Sequence, residues 1–193
     1  MRRRLSPATG EFDGLFEQFR DTAFRLETLQ WYDVPYEAEM VRRFLAGHPP
    51  PSPPHPNYQW WRRLLRAGVA ANRQVQRVRM VAEPLTDYLR FEMAWAYPDN
   101  VAAGEDIRVI VVNGAEWPND LPGCGYDFWL FDEGQLATMH YDHRGRFIAI
   151  DLLDERSSIE QALQWRDSSL RSAVPFNQYV SAMGKGGRAR VGS

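Results

Sequence analysis

Lysine is almost missing from this sequence. Of its 23 lysine and arginine residues only Lys185 is a lysine. A Schiff-base enzyme, a Walker-type nucleotide site and a Ser–Lys dyad each need a lysine inside the fold, so all three are excluded. Cysteine is equally scarce. Cys124 stands alone, which rules out an internal disulfide and a cysteine zinc cluster. No apolar run approaches the length of a membrane-spanning helix, so no membrane partner is expected. A basic surplus is lacking too: the formal net charge is -2, and direct nucleic-acid binding is not expected. Arg62, Arg63 and Arg66 cluster on one helix, but no recognition-helix pattern follows them. The start, "MRRRLSPATG", runs into the acidic, amphipathic "EFDGLFEQF", which is no signal peptide. A cytoplasmic location is the resulting expectation. There is no internal repeat.

What is present suffices for a core. The chain has 193 residues, 44% of them hydrophobic. Phe12, Leu15, Phe16 and Phe19 recur at helical spacing. In "AFRLETL", Phe24, Leu26 and Thr28 alternate with Arg25, Glu27 and Leu29, as in a short strand. "VPYEAEMVRRFLAG" reads as a helix with proline near its start and glycine at its end. Residues 48–56, "HPPPSPPHP", form an extended proline-rich loop. "NYQWWRRLLRAGVAANRQ" is the next helix, with Asn57 as its candidate cap. These elements make residues 1–74 a mainly helical region.

From residue 75 the rhythm changes. "VQRVRMVAEP" reads as a strand, "LTDYLRFEMAWAY" as a helix and "DIRVIVVNG" as a strand covered on both faces. "YDFWLFDEGQLATMHYDHRGRFIAIDLLD" is three strands joined by tight turns at "DEG" and "DHRG". "SSIEQALQWRDSSLRSAV" is a closing helix with a serine cap, followed by a short "FNQYVSA" turn. The expectation is an α/β (α+β) fold: a mixed sheet flanked by helices, over residues 75–182, packed with the N-terminal region as one unit. The strands of residues 75–153 should form one sheet, with the 85–97 and 157–173 helices against it. Residues 183–193 read as a disordered tail. The tryptophans Trp60, Trp61, Trp95, Trp129 and Trp165 are expected in the core.

The stretch "MHYDHRGRF" sets His140, Asp142 and His143 close together. A metal site needs three or four ligands with support behind them, and His143 falls in the turn. "DHRG" is good turn chemistry, with aspartate first and glycine last. The stretch is therefore read as a hairpin, with His140 a candidate for a ligand contact.

Several segments together resemble an actinobacterial family of unknown function, commonly encoded beside helix-turn-helix regulators. They are "AFRLETLQWYDVP", "VRMVAEPLTDYLRFE", "NVAAGEDIRV", "DFWLFDEG", "MHYDHRGRF" and "WRDSSLRSAVPFNQY". The resemblance implies a nearby helix-turn-helix regulator as a partner. The second half also resembles a degenerate phospholipase D-like half-domain. That superfamily carries H-x-K-x-x-x-x-D on a strand before a tight turn. In "GYDFWLFDEG" the aspartate's place is held by Asp132, the histidine's by Gly125 and the lysine's by Asp127. The nucleophile and the phosphate clamp are both absent, so the resemblance implies a scaffold without that catalysis.

Open α/β sheets bind ligands beyond the carboxyl ends of their strands. Arg77, Arg79 and Glu83 share strand parity, and the following helix brings Asp87 and Arg90, with Tyr88 and Glu92 beside them. With Asp127, Asp132, His140 and Asp142 these are the candidate ligand-binding residues, expected to meet at one edge of the sheet. Such an Arg–carboxylate set could hold a planar or anionic small molecule, or could fix the strand–helix corner. No catalytic residue, metal or cofactor is assigned. Two functions remain: a non-catalytic accessory or ligand-sensing protein acting with a transcriptional regulator, or a hydrolase or phosphodiesterase using His140 with nearby aspartates.

Overall fold

A computed structural model describes residues 2–7, 10–112 and 117–189. The elements follow in the order β1 (Arg2–Leu5), α1 (Glu11–Gln18), β2 (Thr22–Glu27), α2 (Ala38–Leu45), α3 (Pro56–Ala70) and β3 (Gln74–Ala82). Next come α4 (Asp87–Phe91), a π-helical stretch (Glu92–Ala96), α5 (Tyr97–Ala103) and β4 (Glu105–Val112). The hairpin strands are β5 (Asp127–Phe131), β6 (Gln135–Tyr141) and β7 (Phe147–Leu153). The chain closes with α6 (Arg156–Ser172), β8 (Val174–Pro175) and α7 (Phe176–Ala189).

All strands join one mixed sheet in the order β1-β7-β6-β5-β2-β3-β4-β8. β2, β3 and β4 run parallel, and β5 lies antiparallel against β2. The expected α/β class with a helix-flanked mixed sheet is what forms. The expected boundary at residue 74 is not. β2 sits between β5 and β3, so the sheet of residues 75–153 would fall into two pieces without it. The N-terminal region is thus a central part of the sheet and also supplies the edge strand β1. "RRRL" was missed because three arginines carry no strand alternation; only Leu5 is buried there.

Side-chain parity divides the sheet into two faces. One face turns Ala23, Val75, Trp129, Phe131, Ala137, Met139, Ile150 and Leu152 toward Phe16 of α1, Phe19 just past its end and Leu65 of α3. Phe16 meets Trp129 edge-on at 4.8 Å, the geometry that the ring quadrupoles favour. Helices α4, α5 and α7 cover the same face further along, through Tyr97, Phe176 and Tyr179 against Val81, Ile107 and Val109. The other face buries Phe24, Leu26, Val78, Met80, Phe128, Leu130 and Leu136 under Ile159 and Ala162 of α6.

Three local expectations change. The cap of α3 is His55, whose side chain accepts the Asn57 N–H, with Pro56 in the first turn; proline's missing N–H suits that position. α6 starts from Glu155 without a side-chain cap. Residues 176–182 begin a helix rather than a turn, and α7 continues to Ala189 where disorder was expected. Phe176 and Tyr179 anchor that helix one turn apart. Residues 190–193 of the expected tail lie outside the described residues.

Candidate ligand site

The first face carries more than apolar residues. Where β2 and β3 run toward their carboxyl ends and β5 begins, Arg25, Glu27, Arg79, Glu105 and Asp127 are all buried, and Arg77 is nearly so. Each projects from an odd-numbered strand position, so all six share one face. Arg77 donates from Nε to Glu105 Oε1 and from Nη1 to Glu27 Oε1, both at 2.7 Å. Arg25 Nε donates to the same Glu27 oxygen at 2.7 Å, and its Nη2 reaches Tyr141 Oη at 3.1 Å. Arg79 is 0% exposed. Its Nη2 donates to Glu92 Oε2 at 3.1 Å, and its Nη1 lies 3.6 Å from Glu27 Oε2. The guanidinium also sits 4.8 Å from the ring centre of Tyr32.

Asp127 completes the set. Its Oδ1 accepts the Thr28 N–H at 2.8 Å and the Thr28 hydroxyl at 2.7 Å, and its Oδ2 accepts from the Tyr32 hydroxyl. Glu92 opens the π-helical stretch. Its carboxylate and that of Glu27 both lie 3.3 Å from Tyr97 Oη. Burial of this many charges is expensive unless each meets an opposite charge or a hydrogen bond. Three guanidiniums, from Arg25, Arg77 and Arg79, face three carboxylates, from Glu27, Glu105 and Asp127. Burial works to raise the Glu27 carboxyl, but Arg77, Arg25 and Arg79 outweigh it and hold it well below the usual carboxylate range. Burial pushes Glu92 up to about 8, against the pull of Arg79 and helped by Glu27 and Glu37. Glu92 is therefore mainly protonated at neutral pH, and three charges match three.

Above this network opens a cleft of about 480 Å³ between the loop after β2, the start of α2 and the start of α4. Trp31, Tyr32, Val34, Val41 and Tyr88 give it a largely apolar wall, and Glu37 lies in it. Asp127 holds the cleft loop from below by gripping Thr28 and Tyr32. Gln30 fastens it sideways: its side-chain amide donates to Thr28 O and Met80 O and accepts from Ala82 N–H. The third fastening comes from the "DHRG" hairpin. Gly145 O accepts the Asp33 N–H at 3.0 Å. Gly145 has φ +75°, and a Cβ there would lie 3.3 Å from Trp31 O and Asp33 N. Only glycine allows both the left-handed backbone and this close approach.

The candidate residues do not meet at one place. Arg77, Arg79 and Asp127 converge in the buried network. Asp87 lines the lip of the cleft and pairs with Arg90 at 3.4 Å. Glu83 lies just past β3 and accepts from the Tyr179 hydroxyl at 2.9 Å. Asp132 sits at the opposite end of β5, where it accepts the N–H groups of Arg20, Asp21 and Thr22. Burial raises its carboxyl, and those three donors bring it below the ordinary value. His140 projects from the other face of the sheet from Arg79, so the two cannot share a pocket. Its Nε2 lies 2.6 Å from Asp151 Oδ2, which also accepts from Arg2. A register shift between His140 and Tyr141 parts His140 from Asp142. Asp142 belongs to the turn, where it accepts from Arg144 N–H, Arg146 N–H and the Arg146 side chain. Among the described residues, no three metal-ligating side chains converge. A second hollow, about 610 Å³ between α6 and residues 119–121, holds none of the candidates. Its charged residues, such as Asp167, are all solvent-exposed, whereas the cleft above the network holds the buried Glu37 and is the better-built site.

Sequence reasoning missed Arg25, Glu27, Glu105, Tyr32 and Tyr97, whereas it had set Glu92 beside Arg77 and Arg79. Arg25 and Glu27 alternate with Phe24 and Leu26, which ordinarily marks a solvent face. The clue was available: Arg25 and Glu27 repeat the charged alternation of Arg77 and Arg79 on a second strand.

The fold defined by this sheet is similar to that of phospholipase D-like proteins. Nuc from Salmonella typhimurium, a phospholipase D family member, matches with a TM-score of 0.51 and 9% identity, covering 91% of this chain and 97% of that one. NucT from Helicobacter pylori matches at 0.48 and 9% identity, over 91% and 98% of the two chains. Phosphatidylserine synthase from Haemophilus influenzae matches at 0.46 and 10% identity, over 92% of this chain and 40% of its own. The likeness to Nuc spans the N-terminal elements as well as the second half. The chain itself belongs to the family described as a domain of unknown function (DUF6879), which matches residues 10–181. No curated protein matches it.

Proposed function

We propose that the protein is a non-catalytic, ligand-sensing accessory protein. In this reading a small molecule enters the cleft beside Trp31 and Tyr88, and a helix-turn-helix transcriptional regulator is the partner that responds. The observation that carries the reading is Asp127. It stands where the phospholipase D-type pattern has its lysine, and Gly125 stands where that pattern has its histidine. Asp127 is fully buried and its oxygens accept from Thr28 and Tyr32, so it offers a phosphate no donor. A carboxylate there repels the phosphodiester that a lysine would clamp. The cleft loop is held by that same aspartate, so a ligand that moves Tyr32 also strains the network beneath it.

One observation favours the second reading, a hydrolase. His140 is paired with Asp151 and its side chain is 38% exposed, so a base is available to solvent. Assay of the purified protein on bis(p-nitrophenyl) phosphate, with and without divalent metal, decides between them. The accessory reading expects no turnover. Turnover that disappears in His140→Ala overturns it. The partner is tested by co-purification with a tagged helix-turn-helix regulator from the same genome, in wild type and Trp31→Ala.

A further inference from the structure

Glu37 is a carboxylate without a counter-charge. It is buried, and it is held by two neutral donors, the hydroxyls of Tyr58 at 2.8 Å and Tyr88 at 2.7 Å. Among the described residues, no arginine or histidine nitrogen comes within ion-pair distance of it. The neighbouring arginines are committed elsewhere: Arg77 to Glu27 and Glu105, Arg79 to Glu92 and Glu27. Arg42 reaches the cleft but pairs with Glu39 at 2.7 Å. Burial accordingly pushes the Glu37 carboxyl above its ordinary value, against the hydrogen bonds of Tyr88 and Tyr58.

The rest of the cleft has the same bias. Asp33 and Asp87 line it with Glu37, and Arg42 is its single basic side chain. An anion would meet three carboxylates. A neutral molecule would bury Glu37 further and leave it uncompensated. Trp31 stands 44% exposed at the rim, and Tyr88 packs edge-on against Tyr32 at 6.0 Å inside. Aromatic carbon beside a buried carboxylate is the environment that stabilises an alkylated ammonium, through cation–π attraction and charge together. The volume admits a small ligand headgroup.

We propose that the cleft binds a small organic cation, an alkylated ammonium, with Glu37 as its counter-charge and Trp31 and Tyr88 as its aromatic walls. This deepens the ligand-sensing reading and rests on it. It also replaces the planar or anionic molecule expected from the arginines, because those arginines are neutralised below the cleft.

The test compares choline with 3,3-dimethylbutan-1-ol, which has the same shape without the charge, by titration calorimetry on the full chain at pH 8. Choline is expected to bind at least about tenfold more tightly than the alcohol. Glu37→Gln keeps the volume and an acceptor for the tyrosine hydroxyls, and should abolish that preference. Trp31→Ala, at an exposed position that leaves the fold intact, should weaken choline about fivefold. Choline affinity should also fall as pH is lowered, because a protonated Glu37 offers no counter-charge; Asp33, Asp87 and Arg42 face the same cleft, and the Glu37→Gln variant reads their contribution without Glu37. Equal binding of choline and the alcohol overturns the cation while leaving a ligand site. Binding of neither, or choline binding unaffected by Glu37→Gln, overturns it as well. Failure of the accessory reading shows in a different measurement, the phosphodiesterase assay.

Discussion

Glu92→Gln should change how stability depends on pH, and the structure fixes the direction. Glu92 is buried beside Arg79 and Tyr97, and burial lifts its carboxyl from 4.5 to about 8. The folded protein therefore holds a proton that the unfolded chain releases between those two values. Stability falls as pH rises through that window, by about 1.4 kcal/mol per pH unit from this residue alone. The loss is complete once pH has passed the folded value, and stability is level above it. Glutamine cannot titrate, yet its carbonyl can still accept from Arg79. At pH 5 the two proteins should differ by about 1 kcal/mol or less. At pH 8 the variant should be the more stable by several kcal/mol. Urea unfolding of both proteins at half-unit steps from pH 5 to 8.5 measures the difference curve. Glu37 also has a raised carboxyl and acts on Glu92, so the pair of curves is repeated in a Glu37→Gln background to remove its share. Glu27, held low, loses its contribution only below that window. Parallel curves between pH 5 and 8 would refute the assignment of the proton to Glu92.

Arg79→Ala should destabilise the fold by about 2–4 kcal/mol in urea, because it opens a cavity at a fully buried position, removes one of the three guanidiniums around Glu27 and takes the donor from Glu92; a loss under 1 kcal/mol would mean that water or rearrangement compensates. Gly145→Ala should cost about 1–2 kcal/mol in thermal unfolding, since φ is +75° and the new Cβ presses on the cleft loop. Asp132→Ala should cost about 1–2 kcal/mol by losing an acceptor shared by three N–H groups, while choline titration of the variant remains that of wild type.

The parts of the fold that were legible in the sequence are those with one strong local period. β3, β4 and the β5–β6–β7 hairpins follow from apolar runs and turn residues, and "DHRG" closes as its chemistry requires. The position of β2 was not legible. "AFRLETL" reads as a strand, but nothing local says that it will insert between β5 and β3, because partner choice is a tertiary property. That one fact decides the site. With β2 in the centre, Arg25 and Glu27 are covered by helices instead of solvated, and Arg77 and Arg79 face them rather than an external ligand. The grouping of Arg79 with His140 failed for a related reason. Parity can be read within one strand, but the faces of two strands are related only through their register, and here Met139, not His140, shares the face of Arg79.

Asp127 opens β5 and Asp132 lies just past its end, five positions on, and the two carboxylates do different work. Asp132 keeps a task that needs no catalysis: it ties the start of β2 to the β5–β6 turn through three N–H groups, with φ +50° of its own. An aspartate with that backbone and those donors is useful whether or not a nucleophile lies at the other end of the strand. Asp127 has taken the opposite course. A carboxylate at this buried position requires a cation nearby, and Arg25 stands 3.8 Å away on the neighbouring strand. Arg25 in turn requires Glu27, which requires Arg77 and Arg79, which require Glu105 and Glu92. The Asp127 carboxylate is thus tied to the whole buried network, and it holds the cleft loop down onto that network through Thr28 and Tyr32. Placing Lys at position 127 alone should therefore not create a phosphate site. Asp127→Lys would place a fourth cation among three arginines and release the Thr28 and Tyr32 contacts. The expected outcome is loss of folding, read as loss of the cooperative urea transition. A folded Asp127→Lys protein that binds inorganic phosphate would show the network to be dispensable and would sink this account of the site.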